Sequence, residues 1–442
     1  MKSIRVITLG CSKNTVDTEH LLSQVNGIFD IHSEEDSSQV DYLLINTCGF
    51  IGDSKEQSIQ TILAAAEEKA RGNIGELIVF GCLSQRYSKE LPESIPEVDA
   101  WFGARELSPI LRYLGVKSTS ENIYDRYLTG KAYPYAYLKI SEGCDRRCSY
   151  CAIPFIRGVH RSVPIEILEK EAQALADKGV RELILIAQDT TYYGLDIYHK
   201  RTLALLLERL SKIKGIRWLR IHYSYPADFP EDVLEQMAVN PKVCRYIDIP
   251  LQHVSDKILD MMHRHVSGAW TRELIDKIRS KVPGIALRTT MIVGHPGEGE
   301  EEFEELLEFI NTAKFERLGA FRYSEEEGTF DAKHFKDDVS PEIKDIRYER
   351  IMSAQSEISL NYNRSRLESV VEVIVDDCVD GKLICRSEFE SPEVDGEIIV
   401  DFDAKAMGTS DPDKLIGQFI KVKITGVDEY DLSGKFLGYS EE

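Results

Sequence analysis

Cys144, Cys148 and Cys151 stand within eight residues, in the run Ser141-Glu142-Gly143-Cys144-Asp145-Arg146-Arg147-Cys148-Ser149-Tyr150-Cys151. The spacing C-x3-C-x2-C can bring three soft thiolate donors round one centre, as both iron-sulfur clusters and zinc require. The strand-like run Ala136-Tyr137-Leu138-Lys139-Ile140 just before it delivers the loop. Three donors cannot fill four positions. A structural zinc site closes with four protein ligands, usually in paired knuckles, and no Cys or His follows soon enough here, His160 being alone. The trio therefore reads as the ligand set of a 4Fe-4S cluster with one iron left open, and zinc is the alternative.

A second trio is scattered along the chain but repeats one design. Ile4-Arg5-Val6-Ile7-Thr8-Leu9-Gly10-Cys11, Asp41-Tyr42-Leu43-Leu44-Ile45-Asn46-Thr47-Cys48 and Glu76-Leu77-Ile78-Val79-Phe80-Gly81-Cys82 are each an apolar, β-branched run ending in cysteine. Buried parallel strands read this way, and intervening helices complete an open α/β sheet. One such helix is expected from Ser54 to Arg71, with Ser54 and Gln57 as a capping box, Ile59, Ile62, Leu63 and Ala66 as its apolar face, and Gly72 after its end. Ligands of such sheets bind at the carboxyl ends of the strands, where Cys11, Cys48 and Cys82 would emerge together. A single cysteine is more often a small buried hydrophobe, but the repetition points to a second three-thiolate 4Fe-4S cluster. Cys244, Cys378 and Cys385 share no such pattern and read as inert thiols.

The 442 residues suggest two or three domains, with 43% hydrophobic and 29% charged residues marking a globular chain. No apolar run reaches a membrane-spanning length, and the first residues read as a strand instead of a secretory signal, so a cytosolic protein with reduced thiols is expected. The net charge of −21 argues against a surface that tracks nucleic-acid phosphates.

After a polar stretch at Lys117-Ser118-Thr119-Ser120-Glu121-Asn122, strand-like runs alternate with helical ones: 136–140, 182–186, 218–222, 246–249, 286–293 and 317–321. Six βα units make an open (β/α)6 partial barrel, whose chemistry belongs at the loops after the strands. His222, His253 and His295 lie in those loops and read as hydrogen-bonded structural groups. Ser340-Pro341 starts a helix running to about Arg366. Five short strand-like runs follow, 370–375, 382–385, 397–401, 419–425 and 435–438, and suggest a small OB-like β-barrel. The expected domains are 1–120, an open parallel α/β sheet; 130–366, the partial barrel; and 367–442, the small barrel.

The Cys144 loop resembles the signature of the radical S-adenosylmethionine (SAM) enzymes, and the whole layout is similar to their methylthiotransferase branch with its C-terminal TRAM domain. Leu9-Gly10-Cys11-Ser12-Lys13-Asn14, Asn46-Thr47-Cys48-Gly49-Phe50-Ile51, Ala187-Gln188-Asp189-Thr190 and Ser391-Pro392-Glu393-Val394-Asp395-Gly396 resemble the RimO-type members, which modify a ribosomal protein. The resemblance implies that SAM binds the open iron of the Cys144, Cys148, Cys151 cluster, with Tyr150 against the adenine, and that Gln188 and Gly294 are further candidate SAM contacts. It implies no side-chain catalyst: a radical made from SAM removes hydrogen from the β-carbon of an aspartate on the twelfth protein of the small ribosomal subunit. The Cys11, Cys48, Cys82 cluster supplies or carries the sulfur, a second SAM supplies the methyl group, and the product is 3-methylthioaspartate. An electron donor such as flavodoxin or ferredoxin, a monomeric state and no tRNA or membrane partner are expected. Glu325 departs from the family, which favours proline before this Glu-Glu-Gly-Thr. The alternatives are methylthiolation of isopentenyladenosine in tRNA and a non-enzymatic zinc and RNA-binding module. Charge bears on the choice, since residues 370–442 hold seven Lys and Arg against eighteen Asp and Glu, a net of −11. Such a barrel would repel phosphates and attract a basic protein.

Overall fold

A computed structural model describes residues 1–117, 124–128 and 133–441. The polar stretch read as a domain boundary lies almost wholly outside these residues, as do positions 120 and 130.

The first layer is a five-stranded parallel sheet of β1 (Ser3–Thr8), β2 (Asp30–His32), β3 (Val40–Thr47), β4 (Ile74–Gly81) and β5 (Ala100–Trp101), in the order β2-β1-β3-β4-β5. The three cysteine-terminated runs are its central neighbours β1, β3 and β4. The sequence reading missed β2 and β5, which are short edge strands without a buried apolar run. Apolar side chains cover both faces, Leu21, Leu22 and Phe80 on one and Leu43, Ile45 and Leu77 on the other. The helix α1 (Ser12–Val25) follows β1, and α2 (Gly52–Ala70) follows β3.

The expected capping box of α2 does not form. The helix starts two residues earlier, its N-cap is Ile51 without a side-chain cap, and Ser54 lies within the first turn, where it hydrogen-bonds to Cys48. Ile62 and Ala66 are buried as expected, while Leu63 is exposed.

The second unit is a six-stranded parallel sheet. Its first strand is β6 (Tyr135–Lys139); β7 (Ser141–Glu142) and β8 (Arg161–Ser162) form a hairpin flanking the cysteine loop. The strands β9 (Glu182–Ile186), β10 (Trp218–Ile221), β11 (Val243–Asp248), β12 (Ala286–Val293) and β13 (Arg317–Arg322) then add in sequence order, leaving the barrel open between β6 and β13. Leu183, Leu185, Leu219, Ile221 and Leu287 face the surrounding helices and form the largest core. Ser340 caps the helix Pro341–Ser365 by accepting from the Ile343 amide.

The last unit is a closed five-stranded barrel of β14 (Val370–Val379), β15 (Lys382–Arg386), β16 (Ile398–Asp401), β17 (Phe419–Val427) and β18 (Leu432–Tyr439), with its own apolar centre. It covers the inner face of the partial barrel: Ile374 and Phe419 pack with Trp218, Cys244, Tyr246 and Ala286. The loop after β15 reaches across that face, Ser391 meeting His222 at 2.7 Å and Asp395 accepting from the Tyr246 hydroxyl at 2.7 Å. No helix among the described residues is long and apolar enough to cross a membrane.

Candidate active site

In the trio Cys11, Cys48 and Cys82 each cysteine lies just beyond a central strand: Cys11 comes three residues after β1 and is the N-cap of α1, Cys48 follows β3, and Cys82 opens the short helix α3 (Cys82–Arg86) after β4. Gly10 makes the approach possible, because its φ of +96° is left-handed and a Cβ there would stand 2.7 Å from that of Cys48. Ser58 fixes Cys48 through its main chain, its hydroxyl accepting from the amide at 3.0 Å and donating to the carbonyl at 2.9 Å. Burial, with neighbouring Cys11, pushes the Cys48 thiol up and the Cys82 thiol to about 12, against the opposing pull of Arg157. Buried thiols of this kind ionise when a metal ion replaces the proton.

The trio Cys144, Cys148 and Cys151 hangs from the β7–β8 hairpin. Gly143 permits the turn with a φ of +81°, since a Cβ there would be 2.1 Å from the Val159 carbonyl oxygen. The Cys144 amide donates to Gly158 and the Ser149 amide to Met262. Burial raises the Cys144 thiol to about 12 and Cys151 further still. Arg264 points its guanidinium at this loop, 3.4 Å from both the Cys148 sulfur and the Tyr150 hydroxyl, while donating to the Pro250 carbonyl. Arg264 and Arg146 both stack on the Tyr225 ring, and Arg146 pairs with Asp189 at 2.9 Å.

Packed side chains join the two trios. Ala152, next to Cys151, packs with Ile156 against Cys82. Arg157, at the end of the short helix Ile153–Arg157, donates to the Cys82 sulfur at 3.2 Å, to Asn14 at 2.6 Å, to Asp17 at 2.8 Å and to Glu142 at 3.2 Å. Lys139 joins Asp17 and Glu142 in the same network. From the other side Lys55 and Arg86 hold Glu326, in the loop after β13, at 2.8 and 2.7 Å. Glu325 is exposed beside this anchor, so ion pairs to the first domain hold the loop where the family pattern has proline.

Among the described residues no group of three His, Cys, Asp or Glu side chains is close enough to hold a single metal ion. A cluster spreads its thiolates over several irons and needs them further apart than one ion does. Other features fit a bound polar group. Ser149 Oγ, Arg146 Nη2, Gln188 Oε1, Ser224 Oγ and Gln252 Oε1 are buried without a partner at or near the carboxyl ends of the barrel strands. Gln188 spends its amide N–H on Glu142 at 2.8 Å, leaving that oxygen over. Gly294 differs, as its amide donates to the Glu298 carboxylate at 3.0 Å and its left-handed φ packs it against Lys344.

The three histidines are engaged within the protein. His222 meets Ser391, the His253 Nδ1 accepts from the Ser255 amide, and His295 lies 2.9 Å from Asp331. All nine cysteines are free of disulfides, with Cys244 and Cys385 buried and Cys378 half-buried away from the site. Sequence reasoning missed Arg157 and Arg264 because nothing local marks them. Each becomes informative only through contacts with distant residues.

Comparison with known proteins follows the same division. The profile of the Radical SAM superfamily matches residues 138–310, that of Uncharacterized protein family UPF0004 residues 3–103, and that of the TRAM domain residues 369–437. The chain is 48% identical over 437 residues to the ribosomal protein uS12 methylthiotransferase RimO of Phocaeicola vulgatus, covering 98% of this chain and 99% of the relative. It is 49% identical over 434 residues to the protein of that name from Flavobacterium psychrophilum, covering 98% and 97%. Among solved structures, the radical SAM methyltransferase TsrM from Kitasatospora setae shares the fold with a TM-score of 0.54 at 14% identity, over 73% of this chain and 75% of that one. The cobalamin-dependent radical SAM enzyme OxsB aligns with a TM-score of 0.51 at 12% identity, over 81% and 56%.

Proposed function

This chain belongs to the RimO family of radical SAM methylthiotransferases, and on that footing we propose that it transfers a methylthio group to an aspartate of ribosomal protein uS12. In this reading Cys144, Cys148 and Cys151 hold the SAM-binding 4Fe-4S cluster, and Cys11, Cys48 and Cys82 hold a second cluster that carries the sulfur. The observation that supports it is the contact between the two cysteine-bearing segments, with Ala152 packed on Cys82 and Arg157 donating to its sulfur.

When bound, the reduced cluster and SAM together supply a carbon radical strong enough to take hydrogen from an unactivated carbon. The protein's own groups have simpler tasks. Arg264 places positive charge beside Cys148 and Tyr150 and opposes the burial that raises the Cys151 thiol. The unpaired oxygens of Gln188 and Gln252 offer acceptors to the ammonium and hydroxyl groups of SAM. The first domain and the terminal barrel cover the mouth and the inner face, which keeps water from a reactive intermediate. We assign residues 1–120 to sulfur delivery, 130–366 to radical formation and 367–442 to the basic protein substrate. That last assignment follows the barrel's net charge of −11, which opposes tRNA phosphates and favours encounter with a basic protein. The chain acts in this reading as a monomer fed by a flavodoxin- or ferredoxin-like donor.

Anaerobic reconstitution should give about eight irons per chain, and about four in a variant with Cys144, Cys148 and Cys151 all changed to alanine. One stoichiometric zinc would instead establish the zinc-module alternative. Mass spectrometry of cells with and without the gene should show loss of the mass increment on uS12 and an unchanged tRNA. Loss of the tRNA modification with uS12 unaltered would overturn the substrate assignment.

A further inference from the structure

The cations at the barrel mouth are almost all matched. Arg146 pairs with Asp189, Arg157 with Asp17 and Glu142, Lys139 with the same two carboxylates, and Arg288 with Asp248 at 3.0 Å. Arg264 is committed to Cys148, Tyr150 and a carbonyl. Lys13 is the exception. It projects from the first turn of α1, two residues beyond Cys11, and is only 8% exposed. Its ammonium lies 3.0 Å above the centroid of the Tyr223 ring, at the carboxyl end of β10, and among the described residues it has no hydrogen bond or carboxylate partner.

An ammonium this buried is costly unless something answers its charge, and one aromatic face returns only part of what water gave. The position is not accidental slack in a loose helix. One turn on, Val16 packs into the barrel against Tyr137, Ile184 and Ile186, and Asp17 is held by Arg157, so α1 is pinned with Lys13 over the mouth. Across the mouth, the SAM loop has its own cation in Arg264. The charge beside the Cys11 trio is therefore left for something that enters from outside.

We propose that Lys13 receives the carboxylate of the substrate aspartate and so selects an acidic side chain and orients its β-carbon between the two cysteine trios. This rests on the uS12 reading above. The base of an adenosine substrate carries no anionic group next to the carbon to be modified and would not answer the ammonium in this way.

The test compares binding of reconstituted chain to purified uS12 and to uS12 with its target aspartate changed to asparagine. The natural chain should prefer the aspartate form by about tenfold or more, the range of one charge-assisted hydrogen bond in a buried site. Lys13→Met should lose that preference, and Lys13→Arg should restore part of it. Iron content matching the natural chain certifies folding, and Lys13→Gln replaces the methionine variant if that one takes up less iron. Equal binding of the two uS12 forms by the natural chain overturns the proposal, as does a preference that survives in Lys13→Met. A Lys13→Met chain that loses SAM in equilibrium dialysis yet keeps the preference would reassign the ammonium to the SAM carboxylate, and that too overturns it. Failure of the natural chain to modify uS12 at all is a different result, and defeats the substrate reading whatever Lys13 does.

Discussion

At the scale of single residues, Arg157 links the two halves of the site. Its guanidinium is buried, and Asp17 and Glu142, together with the Cys82 sulfur, hold its charge well above the ordinary range despite burial. Arg157→Met should cost about 3 kcal/mol in urea unfolding, because Asp17 and Glu142 would share Lys139 alone. The same change removes an N–H donor from the Cys82 sulfur. Because hydrogen bonds to cluster sulfurs set reduction potential, the cluster proposed for the Cys11 trio should titrate at a lower potential in the variant, while the one proposed for the Cys144 trio stays put in the same spectroscopic titration. Glu390 shows the complementary case. Burial would raise its carboxyl, but Arg366 and Arg317 hold it down to about 2.

Among elements, the loop joining β15 to β16 decides how the terminal barrel docks. It sets Ser391 on His222, Glu393 on Tyr135 and Asp395 on Tyr246, so that one loop reaches β6, β10 and β11. Burial lowers His222 to about 3, with Arg220, Arg288 and Lys13 acting in the same direction and Asp248 against them. A folded value below the unfolded 6.5 means that this contribution is complete above pH 6.5 and fades as pH falls toward 3. Unfolding free energy should therefore drop below pH 6.5, by up to about 1.4 kcal/mol per pH unit from this group. His222→Gln, which keeps a polar side chain for Ser391, should flatten that slope between pH 6.5 and 4.5 in urea titrations. Below 4.5 Glu390 and its like take up protons in the unfolded chain while the fold holds them ionised, and both proteins should lose stability together.

Over the whole molecule, the partial barrel lacks the strands that would close it and is completed by its neighbours. Val16 of α1 fills one part of the inner face and the terminal barrel fills another. Glu182, at the start of β9, ties the second contact by pairing with Arg220 at 2.6 Å and Arg386 at 2.9 Å, all three fully buried. Glu182→Ala should leave the buried Arg220 guanidinium without a carboxylate and Arg386 with Asp376 alone, and lower stability by about 3 kcal/mol, read as a shift of the urea midpoint. A midpoint within error of the natural chain would show that this ion-pair trio contributes nothing to the interface.

What the sequence determined by itself was everything that depends on near neighbours in the chain. Apolar, β-branched runs specified the central strands of both sheets, three thiols within eight residues specified a cysteine loop suited to a cluster, and a cysteine repeated after three strands specified where those strands must end together. Tertiary structure alone decided the rest. The edge strands β2 and β5 exist because the sheet recruits them, and α2 begins before its apparent cap because Ser54 turns toward Cys48. Arg157 and Lys13 carry no local mark at all. Arg157 meets Asn14 across 143 residues, and Lys13 meets Tyr223 from another domain. A charge reveals its role through what answers it, and that is settled by packing, which short-range pattern does not contain.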